Sequence, residues 1–219
     1  MDGRIISLLV DSFWQILLPG LTVTIPLTAI SFALGLLIAL FTALVQIAKI
    51  RVLSQLARFY AWVIRGTPLL VQLFVIFYGL PSLGVTLDAF PSAIIVFSIN
   101  TGAYAAETIR AAILAVPKGQ MEAGYCAGMT YPRIMTRIIL PQAARTAFPP
   151  LSNSLIGLVK DTSLASNITI MEMFMSAQRI AARTYDSFAL YCEVALIYLL
   201  FCTVLTKVQR ICEKKLELK

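Results

Sequence analysis

Histidine is absent from this 219-residue chain, which removes imidazole acid–base catalysis, Ser-His-Asp triads and histidine metal ligands together. Charge is also scarce. The 18 Lys and Arg and 11 Asp and Glu make up 13% of the residues, against about 25% in an ordinary soluble domain. A soluble enzyme of this length cannot cover itself with so few charges, and a chain that is 59% hydrophobic is not disordered. The four cysteines, Cys126, Cys192, Cys202 and Cys212, form no Cys-x-x-Cys pair, so they read as reduced packing residues. No Gly-x4-Gly-Lys-Ser/Thr phosphate loop occurs anywhere. No cleavable leader is expected either, because the apolar run after Asp11 is too long and lacks a small-residue cleavage pattern.

What the chain has instead is long apolar runs, with a mean hydropathy of +0.84. A membrane span needs roughly 20 apolar residues, so an all-α membrane protein of about five spans is expected, with no room for a large soluble domain. The first charge-free run covers Ser12 to Ala48. Pro19-Gly20 and Pro26 predict an amphipathic lead-in over Ile5–Leu18 and a span over about Leu21–Gln46. A second span is expected near Tyr60–Leu80, ended by Gly79, Pro81 and Gly84, and a third over Ala89 to about Ala112. The fourth, Thr146–Val159, is too short alone and must extend into Lys160-Asp161, and the fifth lies near Ser187–Thr206. The single transmembrane domain takes in residues 1–219, with a core of about 17–208.

The net charge of +7 is best spent on orientation, not on nucleic acid. Lys49, Arg51 and Arg58 follow span one, Lys118, Arg133, Arg137 and Arg145 follow span three, and Lys207, Arg210, Lys214, Lys215 and Lys219 form the tail. The other side has Arg4, Arg179 and Arg183. This asymmetry predicts an outside N-terminus and a cytoplasmic C-terminus.

Ionisable and polar residues at membrane depth mark a pathway or a paired contact. On span three, Asn100, Tyr104 and Glu107 fall at i, i+4 and i+7, one face of a helix. Asn100 and Tyr104 read as lining a solute path. Glu107 either continues that stripe or pairs with Arg110 to anchor the helix end. On span four, Asn153, Gly157 and Lys160 repeat the spacing, with Ser154 and Asp161 alongside. Lys160-Asp161-Thr162-Ser163 offers a cation, an anion and two hydroxyls, the groups a zwitterionic amino acid needs, unless Lys160 and Asp161 form a structural ion pair. Arg65-Gly66-Thr67-Pro68 breaks the start of span two, and its freed backbone groups need a neighbour or a lined cavity; Arg65 reads as an anchor. Pro149-Pro150 is expected to kink span four. Glu193 carries no assigned role.

Between spans three and four, residues 117–130 are too polar to span and too helix-prone for a plain loop. Pro117 can open a helix that runs through Glu122 and Ala123 and stops near Gly128. It is either an amphipathic connector or a segment that docks into a partner's groove. Glu122-Ala123-Gly124, then Gly128, then Ile138-Ile139-Leu140-Pro141 resembles the EAA motif of ABC importer permeases, E-A-A-x3-G-x9-I-x-L-P, departing from it only at Gly124. A glycine there weakens the helix by about 1 kcal/mol and keeps the side chain small. Arg65–Gln72, Asn100–Arg110 and Leu158–Leu164 are likewise similar to permeases of the polar amino-acid uptake family. The resemblance covers nearly the whole chain and is strongest to the permeases of bacterial L-cystine importers.

The resemblance implies the five-helix type I permease fold in the bacterial inner membrane and transport of a polar amino acid, L-cystine foremost. It implies a coupling helix at about 117–130 seated on a dimer of separate ATPase subunits. Glu122, Ala123, Gly128, Leu140 and Pro141 are the matched coupling positions, Glu122 making the polar contact and Gly128 the turn. ATP and Mg would be bound by the ATPase and no cofactor by this chain, which is not itself an enzyme. The implied partners are that ATPase, a second permease copy (the same chain sooner than a different one), an extracytoplasmic solute-binding protein and membrane lipid. The rival reading, an ion-gradient-driven secondary transporter, requires inverted internal repeats, which are not evident in the sequence.

Overall fold

A computed structural model describes residues 3–48 and 50–217; Lys49 and Lys219, counted above for orientation, lie outside the described residues. Those residues form helices and short connections, with no strand among them. Helix α1, Gly3–Pro19, runs through one wide turn at Gly20–Thr24 into α2, Ile25–Ile47. The helix is therefore continuous past Pro19 and Pro26, with the wide turn falling where the lead-in and the span were expected to meet. Proline removes one N–H and crowds the preceding turn, and the chain answers by widening the helix locally. The whole stretch Gly3–Ile47 is one apolar run, so helical structure extends beyond the expected core at this end, as it does at the other to Glu217.

The second expected span differs more. Helix α3, Arg51–Arg65, and α4, Leu69–Phe74, which continues helically to Leu83, meet at 103°. The break falls at Gly66-Thr67-Pro68, where proline bars the preceding residue from helical geometry. Helix α5, Ala89–Ala115, follows, and packs along α2 through small residues. A Cβ on Gly102 would lie 2.7 Å from Ile38 Cγ2, and one on Gly35 would lie 2.8 Å from Thr101 Cβ. Small residues let two helix backbones approach where water supplies no driving force.

Helix α6, Lys118–Cys126, and the single turn α7, Tyr131–Ile134, lead through a wide turn into α8, Leu140–Asp161. Pro149 and Pro150 lie inside α8 without ending it. A 3-10 segment, Thr162–Ile168, follows, and then α9, Met173–Thr184, which sequence reading did not anticipate, and α10, Ser187–Glu217. Among the described residues, three runs are long and apolar enough to cross a membrane, Gly3–Ile47, Ala89–Ala115 and Ser187–Leu216, and the bent α3–α4 pair passes the same test jointly. Helix α8, carrying Arg145, Lys160 and Asp161, is the more polar element.

Buried clusters hold these pieces together, among them Ala39, Ala105 and Ala106 between α2 and α5. Leu27, Leu73, Phe97, Leu158 and Ile168 join α2, α4, α5, α8 and the 3-10 segment. Ile16, Met173, Ala177, Leu190 and Val194 join α1, α9 and α10. Ile113, Ile134, Ile139 and Ala143 lie beneath α6, with Met121 and Met129 against them. An Arg4–Asp186 ion pair at 2.7 Å ties the start of α1 to the approach to α10.

Two buried acids sit in this frame. Glu172 is fully buried and caps α9. Its carboxylate accepts from Phe174 N at 2.8 Å, Met175 N at 2.7 Å and the Tyr198 hydroxyl at 2.7 Å. Glu193, on α10, accepts from the Ser12 hydroxyl at 2.5 Å, a bond that joins α10 to α1.

Candidate solute groove and coupling surface

The break between α3 and α4 creates the polar site. Gly66 and Pro68 free the carbonyls at the end of α3, and Gln72, in the first turn of α4, answers them. Its Nε2 donates to Ile64 O at 2.8 Å, Thr67 O at 3.1 Å and Thr67 Oγ1 at 2.9 Å. Its Oε1 accepts from Asn100 Nδ2 at 3.2 Å. Every polar atom of this side chain is engaged, which orients it and fixes the Asn100 amide beside it. The Tyr60 hydroxyl donates to Ile99 O at 2.6 Å, binding α3 to α5 one turn away.

Beside the break lies a groove of about 630 Å³, where Asn100 and Tyr104 of α5 face Ser154, Gly157 and Asp161 of α8, with Arg65 at its edge. The Arg65 guanidinium sits 5.5 Å from the centre of the Tyr104 ring, within cation–π range. Arg65 thus lines the groove in addition to any anchoring role. Glu107 and Arg110 form an ion pair and together line an adjoining cleft, so pairing and lining coexist.

On α8 the groove takes up only part of the set the spacing singled out. Ser154, Gly157 and Asp161 line the groove. Asn153 instead faces α10, where its Oδ1 accepts from Gln209 Nε2 at 3.3 Å. Lys160 and Ser163 line a separate cavity of about 560 Å³ against Phe174, Tyr191 and Tyr198. Thr162 is buried, its hydroxyl donating to Val159 O at 2.7 Å. The four residues Lys160–Ser163 therefore form no common cradle in this structure, and Lys160 and Asp161 form no ion pair. Neighbouring helix residues project about 100° apart, so adjacency along the chain separates side chains in space.

Sequence reading gave Gln72 no role in this site. Besides its place in the Arg65–Gln72 resemblance, its signal was an amide placed one turn after a Gly-x-Pro break.

A second surface lies at the end of α5. Helix α6 starts after Pro117 and ends in the left-handed residue Gly128, φ +71°. Met129 N donates to Gly124 O at 3.0 Å and Gly128 N to Tyr125 O at 2.9 Å, the paired closure of a Schellman turn. Glu122 and Ala123 are exposed, whereas Gly124 is buried against Ile134, where a Cβ would lie 2.7 Å from Ile134 Cγ1. The departure from the E-A-A pattern thus coincides with a close approach. Leu140 packs on the cluster beneath α6, and Pro141 is exposed in the first turn of α8.

Residues 34–218 match the family model described as binding-protein-dependent transport system inner membrane component. The chain is 54% identical over 96% of its length to the L-cystine transport system permease protein TcyB of Bacillus subtilis, covering 91% of that protein. It is 35% identical over 95% of its length to the L-cystine transport system permease protein TcyL of the same organism, covering 90% of it. Among solved structures, an amino acid ABC transporter crystallised with histidines superposes with a TM-score of 0.89 at 35% identity, over 98% of this chain and 99% of that one. The match in fold and over nearly the full length places this chain in the family of binding-protein-dependent transport system inner membrane components, the permease subunits of ABC importers.

Proposed function

We propose that this chain forms half of the membrane pathway of an ATP-driven importer of L-cystine. The observation that carries the solute assignment is the 54% identity over 96% of the chain to an L-cystine permease. The groove supports a zwitterionic solute more generally. Asp161 offers a carboxylate for an ammonium group, Arg65 a guanidinium for a carboxylate, and Asn100 and Ser154 add neutral hydrogen-bonding groups.

In this reading five spans cross the inner membrane: α1–α2, the bent α3–α4 pair, α5, α8 and α10. The N-terminus lies outside and the C-terminus in the cytoplasm. The basic residues Lys118, Arg133, Arg137 and Arg145, which flank α6 in sequence, support that direction. One chain offers a groove open along one side, so two copies are needed to close a path, and a homodimer satisfies this with a single gene product. The exposed Glu122–Ala123 face of α6 docks in a groove of a separate ATPase, which binds ATP and Mg. An extracytoplasmic binding protein delivers the solute.

The test is reconstitution of the permease with its ATPase and binding protein in proteoliposomes, followed by uptake of a panel of labelled amino acids. ATP-dependent uptake with L-cystine preferred is the expected result; uptake that follows an imposed ion gradient without the ATPase would overturn the reading. Asp161→Asn should cut uptake while leaving the assembled complex intact. Loss of assembly instead would make Asp161 a structural residue.

A further inference from the structure

Adjoining the solute groove is a second cleft of about 670 Å³ between α2, α3 and α5, lined by Gln46, Ser54, Arg58, Arg65, Glu107 and Arg110. It holds three guanidinium groups against one carboxylate. Glu107 is already paired with Arg110, and among the described residues neither Arg58 nor Arg65 forms an ion pair. Arg58 is oriented by its own helix, Nε donating to Ser54 O at 3.2 Å, which leaves its terminal amino groups free of that bond. Uncompensated guanidinium forks in a concave site match the geometry of a carboxylate and focus an attractive field on it. Arg65, Gly66 and Tyr104 line both clefts, so the two share a wall. Glu107 and Arg110 belong to the last turns of α5, the end that leads into α6, so the arginine cleft lies on the ATPase side of the groove.

We infer that this cleft is an oxyanion site at the inner end of the path, which takes the α-carboxylate of the amino acid as it leaves the groove beside Asp161. The identity of the anion as transported solute rests on the importer reading above. The site works as a staging post. The ammonium group is met by Asp161 in the first cleft, and the carboxylate is drawn onward by Arg65, which lines both clefts, and then Arg58 in the second.

The test uses the intact permease–ATPase complex in a background where the four native cysteines are replaced by serine, with Ala61→Cys placed in the cleft wall and Gln46→Cys as an independent second probe. Thiol modification by an anionic methanethiosulfonate should run at least about tenfold faster than by its cationic counterpart. That ratio should fall towards one in Arg58→Gln. L-cystathionine, which carries two α-amino-acid ends and no exchangeable disulfide, should slow the anionic reaction, whereas a diamine of similar length should not. Equal rates for the two reagents, or no modification at either position, would overturn the proposal. Protection by phosphatidylglycerol vesicles but not by L-cystathionine would reassign the cleft to a lipid headgroup and overturn it as well. Because labelling is read without transport, a failed anion site and a failed importer assignment give different results: the first changes the reagent ratio, the second the ATP dependence of uptake.

Discussion

The Asn100 side-chain amide donates to Gln72 Oε1 at 3.2 Å, across from the point where α3 turns through 103° into α4. The other end of the same Gln72 amide holds the Ile64 and Thr67 carbonyls. One side chain therefore closes a helix break and sets the polar face of α5 at once. In a membrane segment that combination matters, because a freed carbonyl has few alternatives to a protein donor.

Gln72→Ala is expected to cost about 1–3 kcal/mol by leaving the break's carbonyls unmet, read as a lower unfolding midpoint of the purified complex, and to depress uptake. Gln72→Glu keeps an oxygen for Asn100 and loses the donors, so it should behave like the alanine variant. A wild-type midpoint for Gln72→Ala would show that the break is held by other groups.

Gly124→Ala restores the E-A-A pattern and brings the better helix former, a gain of about 1 kcal/mol in an exposed helix. Here the added Cβ would lie 2.7 Å from Ile134 Cγ1, the branched base of a fully buried side chain. Overpacking of this kind costs about 1–3 kcal/mol, so the net effect should be destabilising or weaken ATPase association. Combining it with Ile134→Ala should recover part of the association, as a pull-down of the ATPase would measure.

Glu122→Lys reverses the charge on the exposed face of α6. It should reduce ATPase co-purification or uncouple ATP hydrolysis from uptake while leaving the permease itself folded, since Glu122 has no side-chain partner to lose among the described residues. Wild-type coupling would remove Glu122 from the docking surface.

Glu172→Ala removes the acceptor for two backbone N–H groups at the start of α9 and for the Tyr198 hydroxyl. Loss of a cap costs about 1 kcal/mol and an orphaned buried donor about 1–3 kcal/mol, so this should be among the more damaging single changes in the chain. Tyr198→Phe removes one of the three bonds and should cost about 1 kcal/mol. Comparable thermal midpoints for Glu172→Ala and wild type would contradict the structural role.

The α5 stripe was readable in advance because α5 is regular: Asn100 and Tyr104 follow the helical period and do face the groove. The same period on α8 offered two adjacent sets, Asn153 with Lys160 and Ser154 with Asp161, and in the structure the second set lines the groove while Asn153 turns to α10. Periodicity names a set of residues that share a face. It does not say which of two neighbouring polar faces meets α5. Gln72 escaped notice for a related reason, since its partners Ile64 and Asn100 come from either side of the break and from another helix.

Composition and spacing along the chain determined what depends on local chemistry. These include the membrane class, from scarce charge and long apolar runs, the helix opened by Pro117 and closed by Gly128, and the break at Gly66–Pro68, where ring geometry forbids continuation. Tertiary structure decided what depends on neighbours. It kept Pro19 and Pro26 inside one continuous run, because the wider turn at Gly20–Thr24 carries the helix across, with Ile25 N donating to Gly20 O. It placed Lys160 and Asp161 in different cavities, because consecutive helix positions diverge. And it buried Glu172, where two backbone amides and Tyr198 together satisfy a carboxylate that could not be buried alone.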